Sequence, residues 1–249
     1  MTAAEGGSVS IVSLLLEHGA DAGARDNQDE TALVYAARGG YVKLVNLLAR
    51  FSDTKTKNRA LFAAAESGPV SIEVDPSKLP KPPQGQPVEV EESWTATAES
   101  LLDSGADIEA RNEDGSTPLI WAASFAQADT LNVLIRRGAR LDVTDNQGNT
   151  PLIAAACECA LATMNSAYGV VKLLLDHGAR VNARSKDGTT ALMNAAAGFG
   201  GVAIVKMLLD NGANPRLRNR QGDTALTLAQ KRHREDKARL IREALGRHN

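Results

Sequence analysis

Few residues of this 249-residue chain have types and spacings that suit catalysis or metal binding. Cys157 and Cys159 are separated by one residue, so a disulfide between them is disfavoured, and a metal site would need two further ligands from elsewhere. The glycine-rich stretch 198–201 interrupts a helical pattern and does not follow a strand, so we do not expect it to bind phosphate. The sequence contains none of the common catalytic motifs. We therefore expect no enzyme activity, no cofactor and no metal.

Two of the four histidines, His18 and His177, precede a glycine at the end of a predicted helix. A cation at the C-terminal end of a helix interacts favourably with the helix dipole. The recurrence of this position indicates a structural role for both rings.

The composition argues against several classes of partner. Aromatic residues make up only 4% of the chain, and its formal net charge is −2. A core rich in Ala and Leu favours closely packed helices over a β-sandwich, and a nearly neutral chain has no global attraction to nucleic acid or to an anionic membrane. No apolar run reaches the roughly 18 residues that cross a bilayer. We expect a cytoplasmic protein without membrane insertion, although the sequence begins inside an apparent repeat unit and a targeting segment could precede it.

Basic residues are concentrated towards the C-terminus, where residues 214–249 contain ten Lys and Arg but four Asp and Glu. Two interpretations stay open. The stretch 231–234 forms the solvated face of a capping repeat, or it joins Arg216, Arg218 and Arg220 in holding an anionic partner. Nucleic acid is not expected, because base-stacking aromatic residues are not interleaved with the basic ones.

Two sequence markers recur in phase along the chain. A Gly-Ala pair follows a leucine-rich run at residues 19, 105, 138, 178 and 212, and Thr-(Pro/Ala)-Leu begins at residues 31, 117, 150, 190 and 224. Each Thr suits the N-terminal cap of a helix, which is Ala-rich and short. A second helix with an apolar stripe follows and ends at the Gly, which can adopt the left-handed backbone conformation. The turn-forming stretch between units, such as 112–115, predicts a projecting hairpin finger.

These markers resemble the ankyrin repeat family, whose units read approximately D-x-x-G-x-T-P-L-H-x-A-A and end in L-L-L-x-x-G-A. The resemblance covers nearly the whole chain and implies an all-α solenoid of stacked helix-turn-helix units with β-hairpin-like fingers. We expect one domain over residues 1–249 with about seven units, the first truncated: 1–26, 27–57, 58–112, 113–146, 147–185, 186–219 and 220–249.

The chain departs from the family pattern in several places. The family His is replaced throughout, which predicts apolar packing at Val34, Phe62, Ile120, Ile153, Met193 and Thr227. The unit near residue 58 lacks Thr-Pro-Leu, so we expect a blunt or missing finger there. The Pro-rich, acidic stretch 69–93 predicts a surface insertion, which is either merely tolerated or a docking arm. The unit at 147 is seven residues longer than 33, and we expect the excess to lengthen both of its helices by about a turn.

The resemblance implies a protein-protein interaction scaffold that binds a protein or peptide on a concave surface of fingers and inner helices. The positions that contact targets in the family correspond here to Asn27, Gln28, Glu30, Arg38, Glu113, Asp114, Ser116, Ser124, Phe125, Asn146, Gln147, Asn149, Cys157, Glu158, Lys186, Asp187, Thr189, Phe199, Arg220, Gln221 and Asp223. Phe125 and Phe199 are the predicted anchors. Trp121, which matches Tyr35, either packs between repeats or is a further anchor. We expect a monomer; the alternative is a regulatory or targeting module of a larger enzyme-containing chain.

Overall fold

The structure, a computed structural model, describes residues 1–68, 93–157, 164–198 and 201–246. These ranges contain fourteen α-helices and one short 3-10 helix, and no strand. The all-α fold predicted from the sequence is therefore confirmed for the described part of the chain. The chain divides into two compact units, Met1–Ala106 and Asp107–Asn249.

The first unit contains six helices that pair in chain order. They are α1 (Thr2–Glu5), α2 (Val9–Glu17), α3 (Ala32–Arg38), α4 (Val42–Leu48), α5 (Thr54–Glu66) and α6 (Trp94–Asp103), with the 3-10 helix Ala49–Phe51 after α4. The helices α1, α3 and α5 pack side by side as an inner row, and α2, α4 and α6 as an outer row. Each inner helix also packs against the outer helix that follows it.

The second unit repeats this arrangement with eight helices. They are α7 (Pro118–Ser124), α8 (Ala128–Arg136), α9 (Pro151–Ala156), α10 (Met164–Asp176), α11 (Ala191–Ala197), α12 (Val202–Asp210), α13 (Ala225–Lys231) and α14 (Glu235–Gly246). The odd-numbered helices form the inner row and the even-numbered helices the outer row. Small Ala side chains fill the buried face of the inner helices, which allows their close approach, and buried Leu, Val and Ile side chains fill the outer helices.

Threonine caps begin the inner helices of the second unit. The hydroxyl oxygens of Thr117, Thr150, Thr190 and Thr224 each accept the N–H of the residue three positions later, at 3.2–3.4 Å. This satisfies one of the backbone donors that a helix start leaves open. Thr31 is the exception: it precedes α3, but its buried hydroxyl makes no cap bond and has no hydrogen-bond partner among the described residues.

Thr227 adds a second hydrogen bond to its cap. Its hydroxyl accepts the N–H of Thr224 at 2.8 Å, so the two threonines cap each other. Apolar packing replaces the family His as predicted at the buried Val34, Ile120, Ile153 and Met193. At Thr227 a hydrogen bond replaces it instead.

Two expectations about the irregular repeats need correction. In the unit at 147 the outer helix α10 is long, with 13 residues, but the inner helix α9 is not, since it ends at Ala156 and the next residue, Cys157, is extended. Residues 158–163 of this unit lie outside the described residues. In the first unit, α5 begins at Thr54, capped by Asp53, so the boundary expected near residue 58 lies inside a helix. Only Ser52 and Asp53 separate α5 from the 3-10 helix, and the finger is missing there as predicted. The insertion 69–93 lies outside the described residues except for Ser93, which caps α6.

Candidate functional site

Five hairpin fingers precede the inner helices, at residues 26–30, 112–116, 145–149, 185–189 and 219–223. In each finger the first residue donates its N–H to the carbonyl of the fifth at 3.0–3.1 Å, and the fourth donates to the first at 2.9–3.0 Å. In four of the fingers the first side chain, an Asp or an Asn, also accepts the N–H of the fifth residue. Local turn chemistry therefore fixes the shape of each finger independently of the helices.

Backbone hydrogen bonds join neighbouring fingers of the second unit. The N–H of Asn146 donates to the carbonyl of Asp114 at 2.8 Å, that of Lys186 to Gln147 at 2.8 Å, and that of Arg220 to Asp187 at 2.7 Å. We call these three bonds the finger ladder. Because the ladder uses main-chain groups only, it leaves the side chains at the fingertips available for other contacts.

The ladder requires glycine at Gly148. Its φ of +81° lies in the left-handed region, and a Cβ there would lie 2.7 Å from the backbone nitrogen of Lys186. Gly222 has nearly the same φ, +82°, but a Cβ there would meet nothing within 4 Å. Glycine at residue 148 therefore serves the approach of the next finger as well as the turn.

A groove of about 970 Å³ runs along the fingers of the second unit. Its floor includes Ile153, Ala154 and Asn194 from α9 and α11. The fingers supply Asp145, Asn146, Gln147, Asn149, Ser185, Lys186, Asp187, Thr189 and Arg220, and Ser124 and Cys157 complete the lining. Nine of the residues in the predicted contact set line this groove: Ser124, Asn146, Gln147, Asn149, Cys157, Lys186, Asp187, Thr189 and Arg220.

The carboxylates in the groove are occupied by donors of their own fingers. Asp145 accepts the backbone N–H of Gln147 and of Asn149, both at 2.8 Å, and the side-chain amide of Asn149 at 2.9 Å. Asp187 accepts the hydroxyl of Ser185 and both the backbone N–H and the hydroxyl of Thr189. These hydrogen bonds, the one from Ser185 above all, hold the pKa of Asp187 below its ordinary value. The carboxylates of Asp145 and Asp187 therefore have few lone pairs left to accept hydrogen bonds from a ligand.

Unlike the two carboxylates, the cationic side chains of Lys186 and Arg220 are not engaged by their own fingers. Both side chains are exposed and line the groove. Neither side chain has an ion-pair or hydrogen-bond partner within the described ranges. The two residues occupy the same position in consecutive fingers, and the backbone of each donates to the ladder. The groove therefore presents two neighbouring cations that no contact with another described residue neutralises.

The finger 26–30 of the first unit is held by side chains. Glu30 accepts two hydrogen bonds from Arg38, at 2.6 and 2.7 Å, and Tyr35 donates its hydroxyl to Asp26 at 2.6 Å. The bond from Arg38 is the main reason that the pKa of Glu30 is lowered. The bond from Tyr35 likewise lowers the pKa of Asp26 and raises that of the phenol.

Arg59 of α5 takes the place of a neighbouring finger in the first unit. Its guanidinium donates to the carbonyl of Gln28 at 3.0 Å and to the carboxylate of Asp29 at 2.8 Å. Gln28 is the third residue of its finger, and in the second unit the carbonyls of the equivalent Asp114, Gln147 and Asp187 accept the ladder bonds. A side chain thus replaces the backbone amide of the absent finger.

Several residues of the predicted contact set lie elsewhere. Ser116 is only 5% exposed, so it offers little surface to a partner. Trp121 and Phe125 are both half-buried and pack on each other with ring centroids 5.1 Å apart. Asp223 is held by Lys231 in two contacts of 2.7 and 2.9 Å, which lower its pKa. Asn27, Gln28, Glu113, Asp114 and Gln221 are exposed at fingertips outside the groove, and Glu158 and Phe199 lie outside the described residues.

The groove also contains residues that the sequence analysis did not include. Asp145 and Ser185 are the first residues of their fingers, a position that the sequence pattern assigns to the turn and not to the contact set. Asn194 donates its amide to the carbonyl of Ile153 at 3.1 Å, which links the floor helices α11 and α9. It occupies the same position of its repeat as Tyr35 and Trp121, and this correspondence was the available signal.

The basic C-terminal region is partly committed to internal contacts. Arg218 donates to the carbonyl of Gly222 at 2.7 Å, and Arg184 donates to the carbonyl of Arg218 at 2.6 Å. Lys237 is only 2% exposed, and its ammonium donates to the carbonyls of Ala195 and Gly198, both at 2.8 Å. This lysine connects α14 to the C-terminal end of α11.

The two histidines have the predicted structural role. Nδ1 of His18 lies 2.9 Å from the carbonyl oxygen of Leu14, and Nδ1 of His177 lies 2.8 Å from that of Leu173. Each ring therefore caps the last turn of its own outer helix.

No helix within the described ranges is long and apolar enough to span a bilayer. The same ranges contain no group of three or more His, Cys, Asp and Glu side chains placed to hold a metal ion.

Comparison with known families relates the chain to the ankyrin repeats. A family model for ankyrin repeats, built from three copies of the repeat, matches residues 1–73, 91–184 and 159–248. Together these matches cover most of the chain. No curated protein matches the sequence.

Proposed function

From the premise that this chain belongs to the ankyrin repeat family, we propose that it is a scaffold that binds a partner protein or peptide in the groove of its second unit. Ankyrin repeats are generally protein-protein interaction modules. The groove lined by α9, α11 and the fingers 145–149 and 185–189 supports this site, because its wall carries exposed polar side chains above a floor that contains Ile153, Ala154 and Asn194. Clefts that combine apolar surface with a few placed polar groups are typical of binding sites.

The distribution of internal contacts favours the second unit over the first. Four charged side chains around the finger 26–30 are already engaged with each other, since Arg38 pairs with Glu30 and Arg59 with Asp29. A partner would have to break these pairs before using the charges. Lys186 and Arg220, by contrast, require no such rearrangement.

We further propose that the chain binds its partner without catalysing a reaction. We also propose that it is a monomer and that it is located in the cytoplasm. The hydroxyls of Ser185 and Thr189 donate to the same carboxylate, Asp187, as part of the finger turn, and Ser185 is only 9% exposed, so we assign neither hydroxyl as a nucleophile. Incubation of the partner with the chain should therefore leave its mass unchanged, and light scattering of the unbound chain should give a mass near 26.3 kDa.

A blocking substitution tests the groove. Phage that display random 12-residue peptides would be selected on the full chain, and synthetic copies of the selected peptides measured by fluorescence anisotropy. Ala154→Trp places a large ring on the groove floor, and the fold should accept it because the equivalent residue in α7 is Trp121. We expect at least tenfold weaker binding of the selected peptides.

Ala203→Trp is the matched control, since Ala203 is exposed on the outer helix α12. It should leave the affinities within twofold of the unsubstituted chain, and circular dichroism should be the same for both variants. Peptides that bind equally well to Ala154→Trp, or the absence of any selected peptide, would overturn the proposed site.

A further inference from the structure

The cations Lys186 and Arg220 give the groove a chemical preference that the family relationship does not specify. They follow Ser185 and Asn219 in their fingers and are connected through the ladder bond from Arg220 N–H to the carbonyl of Asp187. Helices of neighbouring repeats pack roughly 8–10 Å apart, so we take about that distance as the spacing between the two finger positions that carry the cations. Both are exposed and lack partners among the described residues.

The groove carboxylates do not compensate the two cations by direct contact. Asp145 and Asp187 direct their oxygens at the amides and hydroxyls of their own fingers. An incoming cation would have to displace these bonds, whereas an incoming carboxylate would meet open N–H donors on Lys186 and Arg220. Charge-assisted hydrogen bonds of this kind are shorter and stronger than neutral ones.

The charge of the fingers changes sign along the second unit. The stretches 111–116 and 144–149 together contain one cation and three carboxylates, whereas 184–189 and 218–223 contain four cations and two carboxylates. An acidic ligand is therefore repelled at the first two fingers and attracted at the last two. Complementary charge of this kind fixes the register of a ligand and rejects ligands of the opposite sign.

We propose that the groove recognises an extended acidic segment of its protein partner, with two carboxylates that pair with Lys186 and Arg220. Three residues of a polyproline II segment complete one turn and span about 9 Å, which matches the spacing of the two cations. Asp or Glu residues three positions apart in such a segment lie on one face and reach both. This inference rests on the proposed function, because it names the ligand chemistry of the same groove.

Charge reversal in the same phage selection tests the proposal. The Lys186→Glu/Arg220→Glu double variant changes the net charge by four without altering the ladder, which uses backbone groups. The Arg180→Glu/Lys206→Glu double variant makes the same charge change at exposed residues that do not line the groove. Both would be compared with the unsubstituted chain at low and high salt.

We expect peptides that Ala154→Trp blocks to contain more Asp and Glu than the unselected library. They should bind at least tenfold more weakly to Lys186→Glu/Arg220→Glu and within about twofold to the control variant, and added salt should weaken their binding to the unsubstituted chain. Selection on Lys186→Glu/Arg220→Glu should instead enrich Lys and Arg.

The outcomes separate this inference from the proposed function. Peptides that Ala154→Trp blocks but that lack an acidic excess would overturn the acidic preference and leave the groove as the binding site. Equal weakening by the two double variants would also overturn it, because the effect would then reflect overall charge. If no peptide is sensitive to Ala154→Trp, the proposed site itself fails, and the acidic preference fails with it.

Discussion

The fingers at 26–30 and 145–149 share the same internal hydrogen bonds, but their tips are held in different ways. The carbonyl of Gln28 accepts from the guanidinium of Arg59, whereas the carbonyl of Gln147 accepts from the backbone of Lys186. Where the neighbouring finger is absent, charged side chains replace its hydrogen bond and are engaged in contacts within the chain. Where the neighbouring finger is present, the backbone holds the tip, and the side chains of Lys186 and Arg220 have no internal partner among the described residues. The local completeness of the repeat thus determines whether a backbone amide or a charged side chain holds the fingertip.

The fourth residue of the finger also differs between the two units in its backbone strain. Residue 29 is Asp with a φ of +60°, a conformation that non-glycine residues rarely adopt. Its carboxylate contacts Arg25 at 3.1 Å and Arg59 at 2.8 Å. In the second unit this position is glycine in every finger. The first unit therefore gains two ion pairs at a position where the second unit has an unstrained turn.

The largest expected effect concerns the close approach of fingers in the ladder. Gly222→Ala should lower the free energy of unfolding by about 1–2 kcal/mol, because alanine is disfavoured in the left-handed region. Gly148→Ala has the same backbone cost and in addition brings its Cβ to 2.7 Å from the nitrogen of Lys186. We expect it to cost at least about 1 kcal/mol more, as measured by urea unfolding. Equal costs for the two variants would show that the finger at Lys186 can move away from a Cβ at residue 148 without a loss of stability.

An intermediate effect is expected from the ion pair of the first unit. Because the pKa of Glu30 is lowered in the folded chain, its contribution to stability is complete above the ordinary pKa of 4.5 and is lost as the pH falls through the lowered value. Glu30→Gln should therefore cost about 1 kcal/mol near neutral pH and reduce the loss of stability on acidification.

Urea unfolding between pH 6 and 3 would measure this difference. Glu17→Gln, which removes an exposed carboxylate from α2, is the control and should keep the pH dependence of the unsubstituted chain. An unchanged pH dependence in Glu30→Gln would mean that Arg38 does not stabilise the charged form of Glu30.

The smallest effect is expected at Arg59. Its side chain is 40% exposed, so Arg59→Ala should cost about 0.2–1 kcal/mol, the range of exposed ion pairs. Arg59→Lys keeps the charge but lacks the planar fork that reaches both Asp29 and Gln28. Urea unfolding should place it between the other two proteins. Full stability of Arg59→Lys would mean that charge alone, and not the replacement of a backbone donor, matters at this position.

The regular parts of the fold were predictable because each depends on a local interaction. A Thr cap and a Gly stop act within a few residues, and Thr150 and Gly178 are placed as their sequence context indicates. The missing finger near residue 58 was predictable for the same reason. Its replacement by Arg59 was not, because the bond to Gln28 joins residues 31 apart in the chain.

The candidate site was predictable to the extent that it follows the repeat. Lys186 and Arg220 were recognised from their repeat position, but the sequence could not distinguish them from Asp223, whose partner Lys231 comes from the following helix. The packing of Phe125 on Trp121 follows from their spacing, since residues four positions apart share one face of a helix. The location of a groove depends on the spacing of α9 and α11, which no local pattern encodes.

The buried ammonium of Lys237 has a consequence for chemical labelling. An acylating reagent reaches exposed lysines such as Lys186 directly, but it reaches Lys237 only after α14 has separated from Ala195 and Gly198. Acetylation would remove the charge and two donors, so a modified Lys237 cannot restore the original contacts. The rate at which this one amine is acylated therefore reports how often the last helix detaches, without unfolding the rest of the second unit.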